Sequence, residues 1–548
     1  MKKMKKIVSL LLAMVMVLAM TVGVSAATVT VPSDGILKGH TFTAYQIFSG
    51  TESDGILTEV QWGSGVNSDT FLAALKADTT YGSLFTDCTD AAAVAKVLSD
   101  NNTNTALANA VAKLAYANKT GTGTALTAGE NTLDYGYYLV VDTTADVGKG
   151  GAYNTSILQV VSNINITVKT DVPTVKKKVW EDDKFTDDDG YGTGYNDVAD
   201  HDMGTAVPFE LIGSVPDMSR YDTYKYIFHD TLSNGLTAPA RNNVKVYLSS
   251  DEKHDSNDTD ITSSFGVTVS GQSITVSCTD LKEITDIAKD KYIIVAYTAV
   301  LNQSAAVGLP GNPNTVYLEY SNKPDQSGSG DTGNTGKTPE DTVIVFTYEL
   351  DTTKVDGQDN NTKLKGAEFV LYKKVNDEKK YAIVNEQNKV TGWGSATING
   401  SVESYPEGSK LTSGADGLFK VIGLDDGVYY LKETKAPNNY NLLTDDIELT
   451  IKANTSNGQN WNAPFTPSEA LKETTTDAGD GLKITMDGTT ANGDISTGIV
   501  NATVKNNKGA TLPETGGMGT TIFYVVGVIL VLGAVVLLIT KKRMSANK

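Results

Sequence analysis

The chain contains few cysteines and histidines for its length. Its 548 residues include two cysteines, Cys88 and Cys278, and four histidines. Two cysteines this far apart do not form a disulfide framework, so any covalent reinforcement must come from other chemistry. The histidines show no metal-ligand spacing, and the acidic loop at Asp187-Asp188-Asp189-Gly190 lacks the ligand periodicity and terminal Glu of an EF-hand. We therefore predict no metal site and no cofactor.

Long hydrophobic runs are also scarce, and they stand at the two ends. The first run, Ile7–Val22, follows four lysines and precedes Val24-Ser25-Ala26. This order is typical of a secretory signal peptide, over residues 1–26. The second run, Thr521–Thr540, has no charge and precedes Lys541-Lys542-Arg543. As a helix rising about 1.5 Å per residue it crosses a bilayer core of roughly 30 Å, with the basic tail on the cytoplasmic side.

Basic side chains are few between these ends. Removing residues 1–26 and 516–548 takes away eight of the 46 Lys and Arg and none of the 65 Asp and Glu, which leaves a formal net charge of −27. A surface this acidic argues against nucleic acid as a partner. The sequence therefore indicates an acidic, exported protein whose C-terminus stops in a membrane.

The pentapeptide Leu512-Pro513-Glu514-Thr515-Gly516 stands just before the second apolar run. An LPxTG pentapeptide, an apolar span and a basic tail, in that order, resemble the cell-wall sorting signal of Gram-positive surface proteins. The resemblance implies that a sortase cleaves between Thr515 and Gly516 and passes the Thr515 carbonyl to an amine. An amine of peptidoglycan would give a wall-anchored monomer, and a lysine of a second copy would give a pilus subunit.

The mature chain is too long for one core, and its patterning predicts three domains. Residues 27–171 combine strand-like stretches with three helix-like segments, so we predict a β domain with a helical insertion. Residues 172–323 and 342–508 show short alternating strands separated by turns, which is typical of β-sandwiches. The polar stretch 324–341 is predicted as a linker, and 509–548 as the sorting signal with a transmembrane helix at 521–540. The predicted class is mainly all-β, with tandem immunoglobulin-like sandwiches.

The third domain carries a specific pair of motifs. The segment Tyr429–Tyr440 follows a YxLxETxAPxxY pattern, and Thr353-Lys354-Val355-Asp356 lies upstream. Both resemble Cna-B type domains of Gram-positive adhesins and pilins. The resemblance implies an isopeptide bond between a lysine of the first strand and an asparagine of the last, with Glu433 moving the protons. Strand parity places Lys354 and Asn506 on apolar faces, whereas Asn501 is a poorer candidate.

The middle domain has its own candidates. Alternation in Val175–Val179 places Lys177 inward, and Asn314 shares a face with Val316 and Leu318. The segment Asp230–Leu236 reads DTLxxGL and resembles the middle domain of sortase-assembled major pilins, where such an aspartate catalyses a lysine–asparagine link. The resemblance implies Lys177–Asn314 with Asp230, and Lys178 and Asn312 stay as alternatives. In the first domain Val141 stands where the glutamate would be, so no such bond is predicted there.

Pilins of this kind carry a linking lysine at the end of the first domain. Lys169 stands at the matching place, although no Tyr-Pro precedes it, and Lys176 is the second choice. The resemblance therefore predicts a backbone pilin that is not an enzyme. Its partners would be a sortase, further copies of the chain and peptidoglycan. The alternative is a monomeric wall-anchored adhesin, or a minor pilin, that binds a host ligand.

Overall fold

The structure is a computed structural model that describes residues 26–34, 37–148, 150–153, 155–166, 171–182, 194–324, 335–400, 402–455, 481–509 and 518–545. Strands dominate the described residues, as the sequence predicts. Three groups of sheets follow one another along the chain, which we call the N-terminal sheets, the middle sandwich and the C-terminal sandwich.

The N-terminal sheets combine strands with a block of helices between the third and fourth strands. One sheet has the order β5-β1-β8, and the other has the order β3-β2-β6-β7 with β4 beside β2. The strands are β1 (Ala26–Val31), β2 (Phe42–Ser53), β3 (Ile56–Trp62), β4 (Thr124–Leu126), β5 (Gly129–Asp134), β6 (Gly136–Asp142), β7 (Thr155–Val160) and β8 (Ile164–Asn165). The helices are α1 (Ser68–Ala77), α2 (Gly82–Phe85), α3 (Ala91–Asp100) and α4 (Thr105–Ala117).

The helical block forms because its segments carry both capping residues and apolar faces. The side chains of Asn67, Asp90 and Asn104 accept hydrogen bonds from backbone N–H groups in the first turns of α1, α3 and α4. Each of these helices buries one apolar stripe against the sheet, in α4 through Leu107 and Val111. The predicted helical insertion is therefore present, and α2 is an additional short helix.

The middle sandwich pairs two seven-stranded sheets. Their orders are β10-β9-β12-β19-β15-β16 with β14 beside β19, and β11-β22-β20-β13-β18-β17 with β21 beside β20. The strands are β9 (Val175–Glu181), β10 (Gly194–Asn196), β11 (Val198–Asp200), β12 (Ala206–Ser214), β13 (Tyr226–Leu232), β14 (Leu236–Thr237), β15 (Lys245–Ser249), β16 (Thr259–Asp260), β17 (Gly266–Ser270), β18 (Ser273–Cys278), β19 (Tyr292–Leu301), β20 (Asn312–Ser321), β21 (Thr335–Lys337) and β22 (Asp341–Phe346).

The C-terminal sandwich packs the sheet β30-β23-β35 against the sheet β26-β25-β24-β31-β32-β33-β34, with β29 beside β24 and a separate hairpin β27-β28. The strands are β23 (Tyr348–Asp356), β24 (Glu368–Val375), β25 (Glu378–Val384), β26 (Val390–Gly394), β27 (Thr397–Asn399), β28 (Val402–Ser404), β29 (Leu411–Thr412), β30 (Leu418–Leu424), β31 (Gly427–Lys435), β32 (Ile447–Ala453), β33 (Leu482–Met486), β34 (Thr489–Asn492) and β35 (Ile499–Asn506). Helix α5 (Met518–Ser545) follows.

Two predicted boundaries need correction. Residues 343–350 open the predicted third domain, but they divide between two strands because the chain changes sandwich at Thr347. Strand β22 pairs with β20 and β11 of the middle sandwich, whereas β23 pairs with β30 and β35. The predicted linker 324–341 is also too long, because β21 pairs with β20. An uninterrupted apolar run cannot show at which residue a strand leaves one sheet for another.

The middle and C-terminal sandwiches share one continuous buried core and touch closely. The backbone N–H of Met203 donates to Gly423 O at 2.9 Å, and that of Leu309 donates to Ile495 O at 3.1 Å. At Gly308, where φ is +63°, an added Cβ would lie 2.2 Å from Gly498 N. Glycine is therefore required there both by the backbone conformation and by the approach of the two sandwiches.

Strand β22 tests the corrected boundary. We compare two fragments that begin at Ala26, one ending at Thr347 and one ending at Glu340. The shorter fragment loses Val343, Ile344, Val345 and Phe346, each of which is fully buried. We expect its free energy of unfolding to fall by at least about 4 kcal/mol, measured by urea titration. Equal stability of the two fragments would assign β22 to the C-terminal sandwich instead.

Candidate functional sites

In the C-terminal sandwich, the predicted lysine, glutamate and asparagine lie together. Lys354 on β23 and Asn506 on β35 are fully buried, and the two strands run parallel as neighbours. Glu433 reaches them from β31 in the facing sheet. Its Oε1 lies 3.3 Å from Lys354 Nζ, and its Oε2 accepts a hydrogen bond from Asn506 Nδ2 at 2.9 Å. The alternative, Asn501, is exposed on the other face of β35.

The carboxyl of Glu433 is held in place by the backbone. Its Oε2 also accepts a hydrogen bond from the N–H of Leu443 at 2.9 Å, and Asn506 Nδ2 also donates to Asn441 O at 2.6 Å. Asn506 Oδ1 has no hydrogen-bond partner among the described residues. The carboxyl therefore bridges the two nitrogens, while the amide oxygen stays available.

Burial changes the protonation of the amine. Desolvation lowers the pKa of Lys354 to about 8, although Glu433 acts in the opposite direction. The amine also lies 5.2 Å from the centre of the Phe369 ring. At this pKa about a tenth of the amine is uncharged at pH 7, and only the uncharged amine is a nucleophile.

The middle sandwich holds a second set of lysine, acid and asparagine, in which a tyrosine links the acid to the asparagine. Lys177 on β9 contacts Asp230 Oδ1, and Tyr297 donates a hydrogen bond to Asp230 Oδ2. Lys177 Nζ lies 3.2 Å from the Tyr297 hydroxyl, which accepts a hydrogen bond from Asn314 Nδ2 at 2.7 Å. Lys177 and Asn314 are fully buried, and Asp230 is 1% exposed. Here the tyrosine stands between the asparagine and the acid.

Burial again sets the protonation states. Desolvation lowers the pKa of Lys177, against the opposing effect of Asp230. Burial, with a further contribution from Asp230, raises the pKa of Tyr297 well above its usual range, so the phenol keeps its proton. The sequence reasoning missed Tyr297. The alternation of residues along β19 indicates that the Tyr297 side chain points inward. Nothing in the sequence places that side chain between Asp230 and Asn314.

The alternatives in the middle sandwich have other roles. Lys178 is 29% exposed and pairs with Asp197. Asn312 is buried, but its amide is fully engaged with the backbone. Its Nδ2 donates to the carbonyls of Ala306 and Val345, each at 3.0 Å, and its Oδ1 accepts from the N–H of Ala306 at 2.9 Å. Asn312 is therefore a structural residue that joins β20 to β22.

Other predicted residues fall outside these sets. Lys169 and the pentapeptide 512–516 lie outside the described residues. Lys176, the second choice for the linking lysine, is 48% exposed and pairs with Glu252 at 2.6 Å. Val141 is buried in β6. Both cysteines are buried and free.

Family comparisons agree with this architecture. Residues 203–324 match the Gram-positive pilin backbone subunit 2, Cna-B-like domain. Residues 349–462 match the prealbumin-like fold domain, and residues 504–545 match the LPXTG cell wall anchor motif. These matches support a sortase-assembled backbone pilin of Gram-positive bacteria. The pilins that this chain matches are structural proteins rather than enzymes.

Two relatives can be compared with the pilin directly. It is 27% identical over 296 residues to the trypsin-resistant surface T6 protein of Streptococcus pyogenes, a match that covers 45% of this chain and 48% of the relative. The chain thus spans about half the length of that curated relative. The solved T6 backbone pilin of S. pyogenes serotype M6 shares the fold with a TM-score of 0.51 and 18% identity, over 89% of this chain and 99% of that one.

The anchor motif agrees with the end of the chain. Among the described residues, one helix, Ile522–Ser545, is long and apolar enough to cross a membrane. It lies within the residues that match the LPXTG anchor. The pilin precursor therefore spans the membrane, and the mature protein is anchored to the cell wall.

Proposed function

We propose that this pilin is the structural subunit of a covalently polymerised pilus. A sortase would cleave between Thr515 and Gly516 and join the Thr515 carbonyl to a lysine of the next copy. The observation that carries the proposal is that a pilin backbone domain and an LPXTG anchor motif match the same chain, over residues 203–324 and 504–545. The last copy would be joined to peptidoglycan by the same chemistry.

The C-terminal set supports an isopeptide bond between Lys354 and Asn506. The uncharged Nζ attacks Cγ of Asn506, the Nζ–Cγ bond forms and the Cγ–Nδ2 bond breaks. Glu433 contacts both nitrogens, so it can take a proton from Nζ and deliver it to Nδ2, which leaves as ammonia. Holding the three groups in a dry core replaces a bimolecular encounter by a reaction within the fold.

The middle set supports a second bond, between Lys177 and Asn314, through a longer relay. Asp230 takes the proton from Lys177 Nζ, while Tyr297 links that carboxyl to Asn314 Nδ2. Tyr297 would hand its own proton to the departing nitrogen and recover one from Asp230. The acid and the phenol are both regenerated, so each acts once per molecule without being consumed.

The two bonds would shorten the path of a pulling force. In the C-terminal sandwich the bond joins first and last strands, so force arriving at Thr515 would pass from Asn506 directly to Lys354. In the middle sandwich it joins one sheet to the other, from Lys177 to Asn314. The residues between each bonded pair would carry no tension. Staples of this kind are consistent with the trypsin resistance named in the S. pyogenes relative.

The linking lysine would be Lys169, with Lys176 as the second choice. Lys176 is half exposed on β9, which suits a docking site for the extended C-terminus of a partner. A wall-anchored adhesin that binds a host ligand would need neither lysine, and this difference separates the two functions.

The two proposed bonds would change the mass of the folded protein. The purified chain should lack the mass of two ammonia molecules, and Glu433→Ala and Asp230→Ala should each restore one. Each variant should unfold about 5 kcal/mol more easily, as when a cross-link closing a loop of this length is removed. The controls are Asn501→Ala, on the exposed face of β35, and Lys178→Ala, which should keep both losses. A wild-type mass equal to that of the unmodified chain contradicts both bonds.

The proposed relay in the middle sandwich depends on the Tyr297 hydroxyl. Replacing it with Phe keeps the ring stacked on Phe209, 5.5 Å between centroids, but removes the hydroxyl of the relay. We expect the middle bond to form at least about tenfold more slowly, followed by intact mass at intervals after synthesis. Tyr292→Phe, on the same strand, is the matched control. A rate equal to that of the wild type would remove the phenol from the proton path.

Polymerisation would join the copies by bonds that survive denaturation. Wall extracts of the native organism should give a ladder of bands on a denaturing gel that resists heat and reductant. Lys169→Ala should collapse the ladder to one band, whereas Lys176→Ala should leave it intact. The reverse result would move the link to Lys176. A single band from the wild type would mean a wall-anchored monomer and would favour the adhesin.

A further inference from the structure

The junction between the middle and C-terminal sandwiches concentrates acidic side chains. Six carboxylates lie close together there, and five of them are buried: Glu181, Asp182, Asp200, Asp202, Asp425 and Asp426. Lys373 pairs with Asp202 and compensates one of these charges. Proteins keep buried carboxylates together when a cation or a proton neutralises them.

His201 adds a nitrogen donor to this cluster. It is 1% exposed, and its Nε2 lies 2.7 Å from the backbone carbonyl of Trp180. A ring nitrogen that faces a carbonyl must carry the proton, so in the neutral ring Nδ1 presents its lone pair. Metal-bound histidines are oriented by the same kind of hydrogen bond from the second nitrogen.

The lone pair of His201 faces carboxylates rather than a hydrogen-bond donor. Its Nδ1 lies 3.2 Å from Asp182 Oδ1 but without the geometry of a hydrogen bond. Asp425 is 94% buried, and its Oδ1 also has no hydrogen-bond partner among the described residues. One ligand atom from each of Asp182, His201 and Asp425 lies within 4.8 Å of the other two. Three ligand atoms therefore converge on a common point, with His201 and Asp182 already within ion-pair distance of each other.

We propose that Asp182, His201 and Asp425 bind a divalent transition-metal ion, Zn²⁺ or Mn²⁺, that joins the middle sandwich to the C-terminal sandwich. One imidazole and two carboxylates suit these ions, whereas Ca²⁺ and Mg²⁺ prefer oxygen ligands alone. Asp182 is 51% exposed, which gives the ion an entry path and leaves room for water in its coordination shell. This prediction of a metal site reverses the expectation drawn from histidine spacing. The ligands come from segments more than two hundred residues apart, so no spacing could reveal them.

The site would act as a cross-brace. Asp182 and His201 follow strands of the middle sandwich, and Asp425 stands between β30 and β31 of the C-terminal sandwich. The backbone N–H of Asp425 already donates to Asp202 at 3.0 Å, so the two sandwiches are in register at this point. A bound ion would neutralise the carboxylates and fix the angle between the sandwiches.

The test uses the full chain, purified in detergent, stripped with a chelator and titrated with Zn²⁺, Mn²⁺, Ca²⁺ or Mg²⁺ in a calorimeter. We expect Zn²⁺ or Mn²⁺ to bind once per chain and to raise Tm. Asp182→Asn, at a half-exposed position where folding is not at risk, should weaken binding at least about tenfold, and so should Asp425→Asn. The control is Asp377→Asn, an exposed turn residue with φ +64°, which asparagine tolerates.

Each other outcome overturns the proposal. If neither Zn²⁺ nor Mn²⁺ binds, His201 is an imidazolium that simply pairs with Asp182. If Asp182→Asn and Asp425→Asn leave the affinity for the ion unchanged, the ion binds elsewhere on the chain. Binding of Ca²⁺ or Mg²⁺ alone would assign the ion to an all-oxygen set, of which Asp200, Asp425 and Asp426 are the nearest on this junction.

Discussion

The fold depends on the burial of a lysine amine inside each of two β-sandwiches. Removing an ammonium from water costs several kcal/mol unless a partner or a loss of charge compensates it. Lys354 and Lys177 therefore lie against carboxyl groups, and both amines have lowered pKa values. Strand pairing, the facing acids and the apolar surroundings all serve to hold these amines in place. The proposed covalent bonds would remove the buried charge permanently.

The two sandwiches place the lysine, the acid and the asparagine on differently arranged strands. In the C-terminal sandwich the lysine and asparagine stand on neighbouring parallel strands, and the acid reaches them from the facing sheet. In the middle sandwich the lysine stands on one sheet, and both the acid and the asparagine stand on the other. The first arrangement lets one carboxyl contact both nitrogens. The second places a tyrosine hydroxyl between them, which explains why Tyr297 has no counterpart in the contacts around Lys354.

Acidic side chains are concentrated at the junction of the two sandwiches. The acids around Asp425 come from both sandwiches, so they repel across the contact unless they are neutralised. The junction is otherwise close, with glycine backbones in direct contact at Gly308 and Gly498. A neutralising ion would convert the repulsion into a brace, whereas the internal lysines act within each sandwich. Rigidity along the chain would therefore have two separate sources.

Much of the fold followed from the sequence, because short-range patterns encode it. Alternation with a period of two predicted many of the strands and the inward faces that carry Lys177, Lys354, Asn314 and Asn506, and the apolar spacing along α4 predicted a helix there. The segments at the two ends of the chain could also be recognised from the sequence, because an apolar run and its flanking charges do not depend on tertiary contacts. The roles of Glu433 and Asp230 came from motif resemblance rather than from these patterns.

What the sequence could not decide depended on contacts between distant segments. The transfer of β22 to the middle sandwich, the position of Tyr297 between Asp230 and Asn314, and the structural use of Asn312 each depend on which strands lie side by side. The convergence of His201 with Asp182 and Asp425 depends on how two sandwiches dock. Periodicity reports which way a side chain points, but only the tertiary structure brings it to a particular partner, because the docking of sheets is set by long-range packing.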